Sequence, residues 1–248
     1  TGSDWSEKIW IYHRNFAARL LENYPDRQVT IMSYIQTARP PKSFKKFPAN
    51  TKVMLTGTNE DDIAPWRGHE VPGGFTGYVY NWCPNLCTRY TPMRTPAHVA
   101  TQVKRLAANR IQSLYRDGPG ALYGLEGPVY YTMGRMFDDP ENLSAGELVQ
   151  EFVEAAFGRS AWHMSQFYDQ LNHAITLYSD YLGTRSPAWT YEPMTGRRRK
   201  TVSDPFRLLG FLYSPSLLKS LESQLASAEQ KAKSAKVKTR LALVRREF

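Results

Sequence analysis

The chain has 248 residues, 42% of them hydrophobic, and a mean hydropathy of −0.51. That content is enough for one large domain, or one domain with an appendage. No apolar run is long enough to span a bilayer. The net charge of +9 comes from 32 Lys and Arg against 23 Asp and Glu, a balance that raises nucleic acid or an anionic surface as partners. The excess is concentrated in residues 196–200 and 231–246. These stretches read as a solvated loop and solvated helix faces, and no zinc-finger, RRM or KH pattern accompanies them.

The opening Thr1-Gly2-Ser3-Asp4-Trp5 has neither the basic start nor the apolar stretch of a signal peptide. With no initiating Met, the chain is expected to begin inside a longer precursor. The compartment therefore stays open, a secreted or periplasmic parent being one reading. The two cysteines, Cys83 and Cys87, form Cys-x-x-x-Cys with no second pair and no nearby His. A structural zinc site is not expected. A local disulfide in an oxidising compartment and two unrelated thiols both remain open.

The first helix starts at Asp4, with Glu7 three residues on completing a capping-box pattern. Trp5, Ile9, Tyr12, Phe16 and Leu20 recur at helical spacing and predict its apolar face. Tyr24-Pro25-Asp26 stops it. A buried strand is expected over 29–35, then a Pro-rich basic loop through Arg39-Pro40-Pro41 and Lys45-Lys46. A second strand is expected over 52–57. A long loop follows, carrying Glu60-Asp61-Asp62, Trp66, His69 and Gly73-Gly74. A third strand is expected over 77–82.

Thr95-Pro96 opens a long helix with Pro at its first position, its apolar side formed by Val99, Val103, Leu106, Ala107 and Leu114. After a turn at 117–120, a short fourth strand is expected over 121–125, ending at Glu126-Gly127. From there helices alone are expected. Ser144 and Glu147 form a second capping box, and that helix ends near Gly158. Further helices are expected over 160–182, 215–232 and from 236 onward, with a loop over 183–204.

Alternating strands, loops and helices predict parallel βα units. Four strands are too few for a closed eight-stranded barrel, which needs about 250 residues by itself. The expected fold class is therefore α/β: the C-terminal half of a (β/α)8 TIM-like barrel over residues 1–137, followed by a helical region over 138–248. The first four barrel strands would be missing. An open parallel edge is a liability, so missing chain or a partner subunit is expected to cover the strand at 29–35.

Three stretches resemble one bacterial family. The first runs from Trp10 to Pro41, through Tyr24-Pro25-Asp26, Val29-Thr30-Ile31-Met32-Ser33-Tyr34 and Arg39-Pro40-Pro41. The second is Gly77-Tyr78-Val79-Tyr80-Asn81-Trp82. The third runs from Gly120 to Tyr168, with Gly124-Leu125-Glu126-Gly127, Leu148-Val149-Gln150-Glu151-Phe152 and Ala156-Phe157-Gly158. Together they resemble the domain-of-unknown-function 4838 group, associated with glycoside hydrolase family 163, the endo-β-N-acetylglucosaminidases, and similar in barrel architecture to α-glucuronidases. The similarity covers most of residues 5–245. It implies a carbohydrate-active protein whose N-terminal domain and first barrel strands lie outside this chain.

In barrel enzymes the chemistry sits on the loops after the strands. That rule selects Tyr34 and Gln36 after the first strand, Asn59 and Glu60 after the second, Tyr80, Asn81 and Trp82 on the third, and Glu126 on the fourth. Glycoside hydrolysis usually takes two carboxyl groups, or one carboxyl helped by the substrate's acetamido group. Glu126 is the leading catalytic candidate, with an ion pair or a helix cap as its structural alternatives. Glu60, Asp61 and Asp62 form an acidic loop that reads more naturally as solvated surface. Tyr80 and Trp82 could stack on a sugar ring, although alternation along a strand sends one of them into the core. Trp66 and His69 read more naturally as loop packing, and His163 and His173 as structural.

The expected function is part of a glycoside hydrolase catalytic domain acting on glycans by carboxylate acid/base chemistry, with no metal or cofactor. A non-catalytic glycan-binding or scaffold module is the alternative, and a basic nucleic-acid-binding protein ranks third. The expected partner is a carbohydrate, neither nucleic acid nor membrane.

Overall fold

A computed structural model of the chain describes residues 3–79, 91–92, 94–116, 122–176 and 205–248. The chain divides into two compact units. One comprises Thr1–Val79 and Lys104–Asp117, the other Tyr80–Val103 and Gly118–Phe248.

The first unit is built on a four-stranded, wholly parallel sheet in the order β1-β2-β3-β4. Its strands are β1 (Val29–Ser33), β2 (Thr51–Leu55), β3 (Phe75–Val79) and β4 (Ile111–Arg116). The first three fall where the apolar runs predict them; β1 and β2 each end two residues before the expected bound, and β3 begins two residues ahead of its own. The fourth does not. Residues 122–126 form a turn in the second unit, closed by Glu126 N–H donating to the Leu122 carbonyl at 2.7 Å. The sheet's fourth strand is instead Ile111–Arg116, so Leu114 belongs to a strand and not to the preceding helix.

That helix, α3 (Pro96–Ala108), starts as expected, with Thr95 Oγ1 accepting from His98 N–H at 3.1 Å. It stops because Asn109 N–H folds back to the Arg105 and Leu106 carbonyls. Arg110 then takes a left-handed φ of 57°, the conformation that commonly ends helices.

Ahead of the sheet lies α1 (Trp5–Asn23), its N-terminus capped by Asp4 Oδ1 accepting from Glu7 N–H at 3.1 Å. The buried side of α1 is not the one its apolar spacing selects. Trp10 and Ala17 are fully buried, whereas Trp5, Tyr12 and Phe16 are exposed. The helix carries two apolar stripes, and the indole of Trp10 decides between them. It meets Trp66 at 5.4 Å and Phe47 at 5.8 Å, both edge-on, an arrangement that aromatic quadrupoles favour. Its Nε1–H donates to the Arg39 carbonyl at 2.8 Å.

Between β1 and β2 the chain makes a 3₁₀ turn (Ile35–Thr37) and the Pro-rich basic loop, where a βα unit would carry a helix. The loop is fastened by Glu7. The far half of its capping box is not formed. Its buried carboxylate instead accepts from Lys42 N–H at 2.8 Å, Ser43 N–H at 2.9 Å and the Ser43 hydroxyl. The same loop delivers Phe44 and Phe47 to the aromatic core.

In the second unit every described element is a helix or a 3₁₀ turn. They are the N-terminal part of α3, α4 (Gly127–Asp138), α5 (Ala145–Phe157), α6 (Ala161–Thr176), α7 (Pro205–Leu212), α8 (Pro215–Lys231) and α9 (Ala235–Glu247). Ser144 caps α5, and Gly158, at φ 52°, ends it. The core gathers Phe157, Met164, Phe167 and Tyr168 with Leu221, Leu225 and Val244.

Candidate functional site

Each unit holds part of the residue set that the strand-end rule selects. In the first unit, parallel strands bring the ends of β1 and β2 to one edge. Three hydroxyls lock that edge. Thr56 Oγ1 donates to the Ser33 carbonyl at 2.6 Å, Ser33 Oγ to the Thr37 carbonyl at 3.0 Å, and Thr37 Oγ1 accepts from Tyr34 N–H at 3.1 Å. All three side chains are buried. Between them Ile35 is held at φ 48°, a left-handed conformation that is an outlier for a β-branched residue. Strain of this kind persists only where surrounding bonds over-determine it, and it clusters at functional edges. Tyr34 and Gln36, on either side of Ile35, are exposed.

At the end of β2, Asn59 and Glu60 are exposed. Glu60 pairs with Arg67, which also donates to Asn109 Oδ1 at 2.9 and 3.2 Å. Arg39 donates to the Asp61 carbonyl at 2.6 Å. Trp66 is buried among Trp10, Phe47 and Phe75, and His69 lies against it with Nε2 3.0 Å from the Pro41 carbonyl. Both therefore take the packing role. Tyr80, Asn81, Trp82, Cys83 and Cys87 lie outside the described residues, as do residues 196–200.

Glu126 belongs to the second unit, where it precedes α4 in a turn fixed from several sides. Gly124 N–H and Leu125 N–H donate to Glu247 Oε2 at 2.7 and 2.9 Å, and Tyr168 Oη donates to the Gly124 carbonyl at 2.7 Å. Burial, with the Glu247 charge second, pushes the Tyr168 phenol up, so it stays a donor. The flanking glycines are needed for close packing. A Cβ on Gly124 would lie 3.0 Å from the Val244 backbone, and one on Gly127 2.6 Å from the Phe152 ring.

Glu126 itself is 2% exposed. Its backbone, at φ −96°, ψ 4°, occupies the sparsely populated bridge region where many active-site residues sit. Its carbonyl accepts from Val129 and Tyr130 N–H at 2.9 and 3.0 Å, starting the helix. The sequence reading puts Glu126 at the end of a strand, whereas the structure puts it in a turn ahead of α4. Tyr168 and Glu247, remote in sequence, come to that turn only through helix packing. Among the described residues no group of three or more His, Cys, Asp or Glu gathers as metal ligands would.

No family model, curated protein or solved structure matches the chain.

Proposed function

We propose that the chain is the C-terminal half of a (β/α)8 barrel in a carbohydrate-active hydrolase, with Glu126 as the carboxyl that protonates the leaving oxygen. The observation that carries this reading is a carboxyl withdrawn from solvent, held in a turn whose backbone is clamped by Tyr168 and Glu247. A general acid needs that kind of preorganised support. Within the first unit, Tyr34, Gln36 and Asn59 are proposed to bind sugar hydroxyls. The half-barrel reading is supported by the parallel sheet, by the outer edge of β1, which has no strand partner among the described residues, and by the exposed Trp5, Tyr12 and Phe16 on α1. A preceding βα unit or a partner subunit would cover that edge and that stripe.

One observation favours the runner-up, a glycan-binding module without catalysis. Glu60, a strand-end candidate for substrate binding, is paired with Arg67 and so is not a free second carboxylate. Substrate-assisted hydrolysis of an N-acetyl sugar needs no such second group. Nucleic-acid binding is less favoured by the basic C-terminus. Arg245 is paired with Glu222 and Glu229, and Arg240 donates to the Ala155 and Ala156 carbonyls at 3.2 and 2.8 Å.

Steady-state kinetics on N-acetylglucosamine-containing oligosaccharides test the assignment. Glu126→Gln should lower kcat by about 100-fold or more with KM little changed, because a general acid acts in the transition state. Lost affinity with kcat retained makes Glu126 a binding residue, and an unchanged kcat and KM removes it from the site.

A further inference from the structure

The basic stretch at 231–246 divides in two once the helices of the second unit are packed. Two of its arginines are engaged: Arg245 pairs with Glu222 and Glu229, and Arg240 donates to the Ala155 and Ala156 carbonyls at the end of α5. Its lysines are not. Lys231, Lys233, Lys236 and Lys238 are exposed, and their ammonium groups make no ion pair or hydrogen bond among the described residues. Packing gathers them at one end of the unit. The Ser160 hydroxyl donates to the Ala228 carbonyl at 2.7 Å, and His163 Nδ1 lies 3.0 Å from Gln224 Oε1, so α6 starts beside the last turns of α8. Arg240 holds the first half of α9 against the end of α5. Arg159, in the 3₁₀ turn between α5 and α6, is a fifth exposed cation at this end with no partner among the described residues. Trp162, 64% exposed, stands there too, edge-on to His163 at 4.7 Å. The nearby acids are occupied, Glu229 by Arg245 and Glu154 by Gln150.

We propose that this end of the helical unit docks on an anionic lipid surface, with Arg159 and the four lysines against the headgroups and Trp162 at the headgroup boundary. The inference is independent of the carbohydrate reading. Composition alone points to no membrane partner; the clustering of these side chains does. Lys231 suits the C-terminal end of α8, which carries partial negative charge. The lysines of α9 oppose their own helix. Lys236 and Lys238 lie in its opening turn, where no acid accompanies them, although a helix N-terminus favours acids. An external anionic surface offsets that cost. Clusters of about four to eight basic residues bind anionic lipid in this way. A tryptophan, apolar with one polar N–H, suits the boundary between headgroups and hydrocarbon.

Two features favour lipid over a nucleic-acid strand. Four of the five cations are lysines, point charges without the planar fork that grips a phosphate bidentately. Trp162 is a single exposed ring beside them, whereas single strands are held by successive bases stacked on several aromatics. The contact is shallow. Leu241 and Val244 keep α9 in the core, so the helix stays folded in place and charge carries most of the attraction.

Co-sedimentation of the whole chain with vesicles tests the proposal, using phosphatidylcholine alone and phosphatidylcholine mixed equally with phosphatidylserine. The chain should pellet with the mixed vesicles and not with the neutral ones, and added salt should release it. That comparison needs no variant. Each cation near an anionic surface contributes about fivefold in affinity, so replacing Lys231, Lys233, Lys236 and Lys238 together by Gln should weaken binding by about 100-fold or more. Lys219→Gln, roughly 18 Å away along α8, should bind as the parent does. Trp162→Ala should weaken binding severalfold, and brominated lipid should quench the fluorescence of the parent more than that of Trp162→Phe. Denaturation midpoints show that each variant folds. Equal binding to neutral and anionic vesicles, or undiminished binding by the lysine variant, overturns the proposal. An oligonucleotide that binds at physiological salt where the mixed vesicles do not would make this end a nucleic-acid surface, and the lipid proposal falls.

Discussion

Glu7 shows how a single side chain ties sequence pattern to tertiary structure. Asp4, x, x, Glu7 reads as a capping box, and half of it forms. The Glu7 carboxylate leaves the helix end to hold Lys42 N–H and Ser43, and so sets the path of the loop carrying Phe44 and Phe47. Burial alone would raise its pKa. The hydrogen bonds from Ser43 and Lys42 outweigh that and hold it below the ordinary glutamate value of 4.5. A group depressed in the folded state stabilises above its unfolded pKa and loses that contribution as pH falls through the folded one. Glu7→Gln should therefore cost about 2 kcal/mol at neutral pH, with the difference from the parent shrinking below about pH 4. Urea denaturation at several pH values measures it; a pH-independent difference would show that the carboxylate's charge contributes nothing. The helix cap was legible in the sequence. The destination of the carboxylate was not, because Ser43 is brought to it only by the fold.

Among the elements, helix starts were the most legible, since Asp4, Thr95 and Ser144 each announce a cap that forms. The missed strand, Ile111–Arg116, has a plain cause. Gln112, Ser113 and Arg116 interrupt its apolar alternation, and α3 stops through Asn109 and Arg110 rather than a glycine. The apolar run at 121–125 misled for the opposite reason. Leu122 and Leu125, three apart, point to one side of a turn and join the helical core. On α1, periodicity marks two stripes and cannot rank them; the aromatic partners of Trp10 do. Trp10→Ala should cost about 3–5 kcal/mol, whereas Phe16→Ser, on the exposed stripe, should change stability by less than about 0.5 kcal/mol. Equal costs in denaturant titrations would mean that the stripe at Trp5, Tyr12 and Phe16 is covered in solution, and sedimentation of the parent and Phe16→Ser would then identify a second copy as the cover.

At the scale of the molecule, the alternation of strands and helices foretold a parallel four-stranded sheet and a helical remainder, and both are present among the described residues. Function was less legible, because a carboxyl at the end of an apolar run looks the same whether it serves catalysis or an ion pair. The turn that carries Glu126 is held by two close-packed glycines, a phenol and a remote carboxylate. The central claim is that this carboxyl drives glycan hydrolysis, and water labelled with heavy oxygen tests it most directly. Hydrolysis of an N-acetylglucosamine-containing oligosaccharide should put the label on the new reducing-end hydroxyl, detected by mass spectrometry, and Glu126→Gln should slow its appearance by about 100-fold. Glycan that stays intact and unlabelled with the parent, or labels equally fast with Glu126→Gln, would contradict the account.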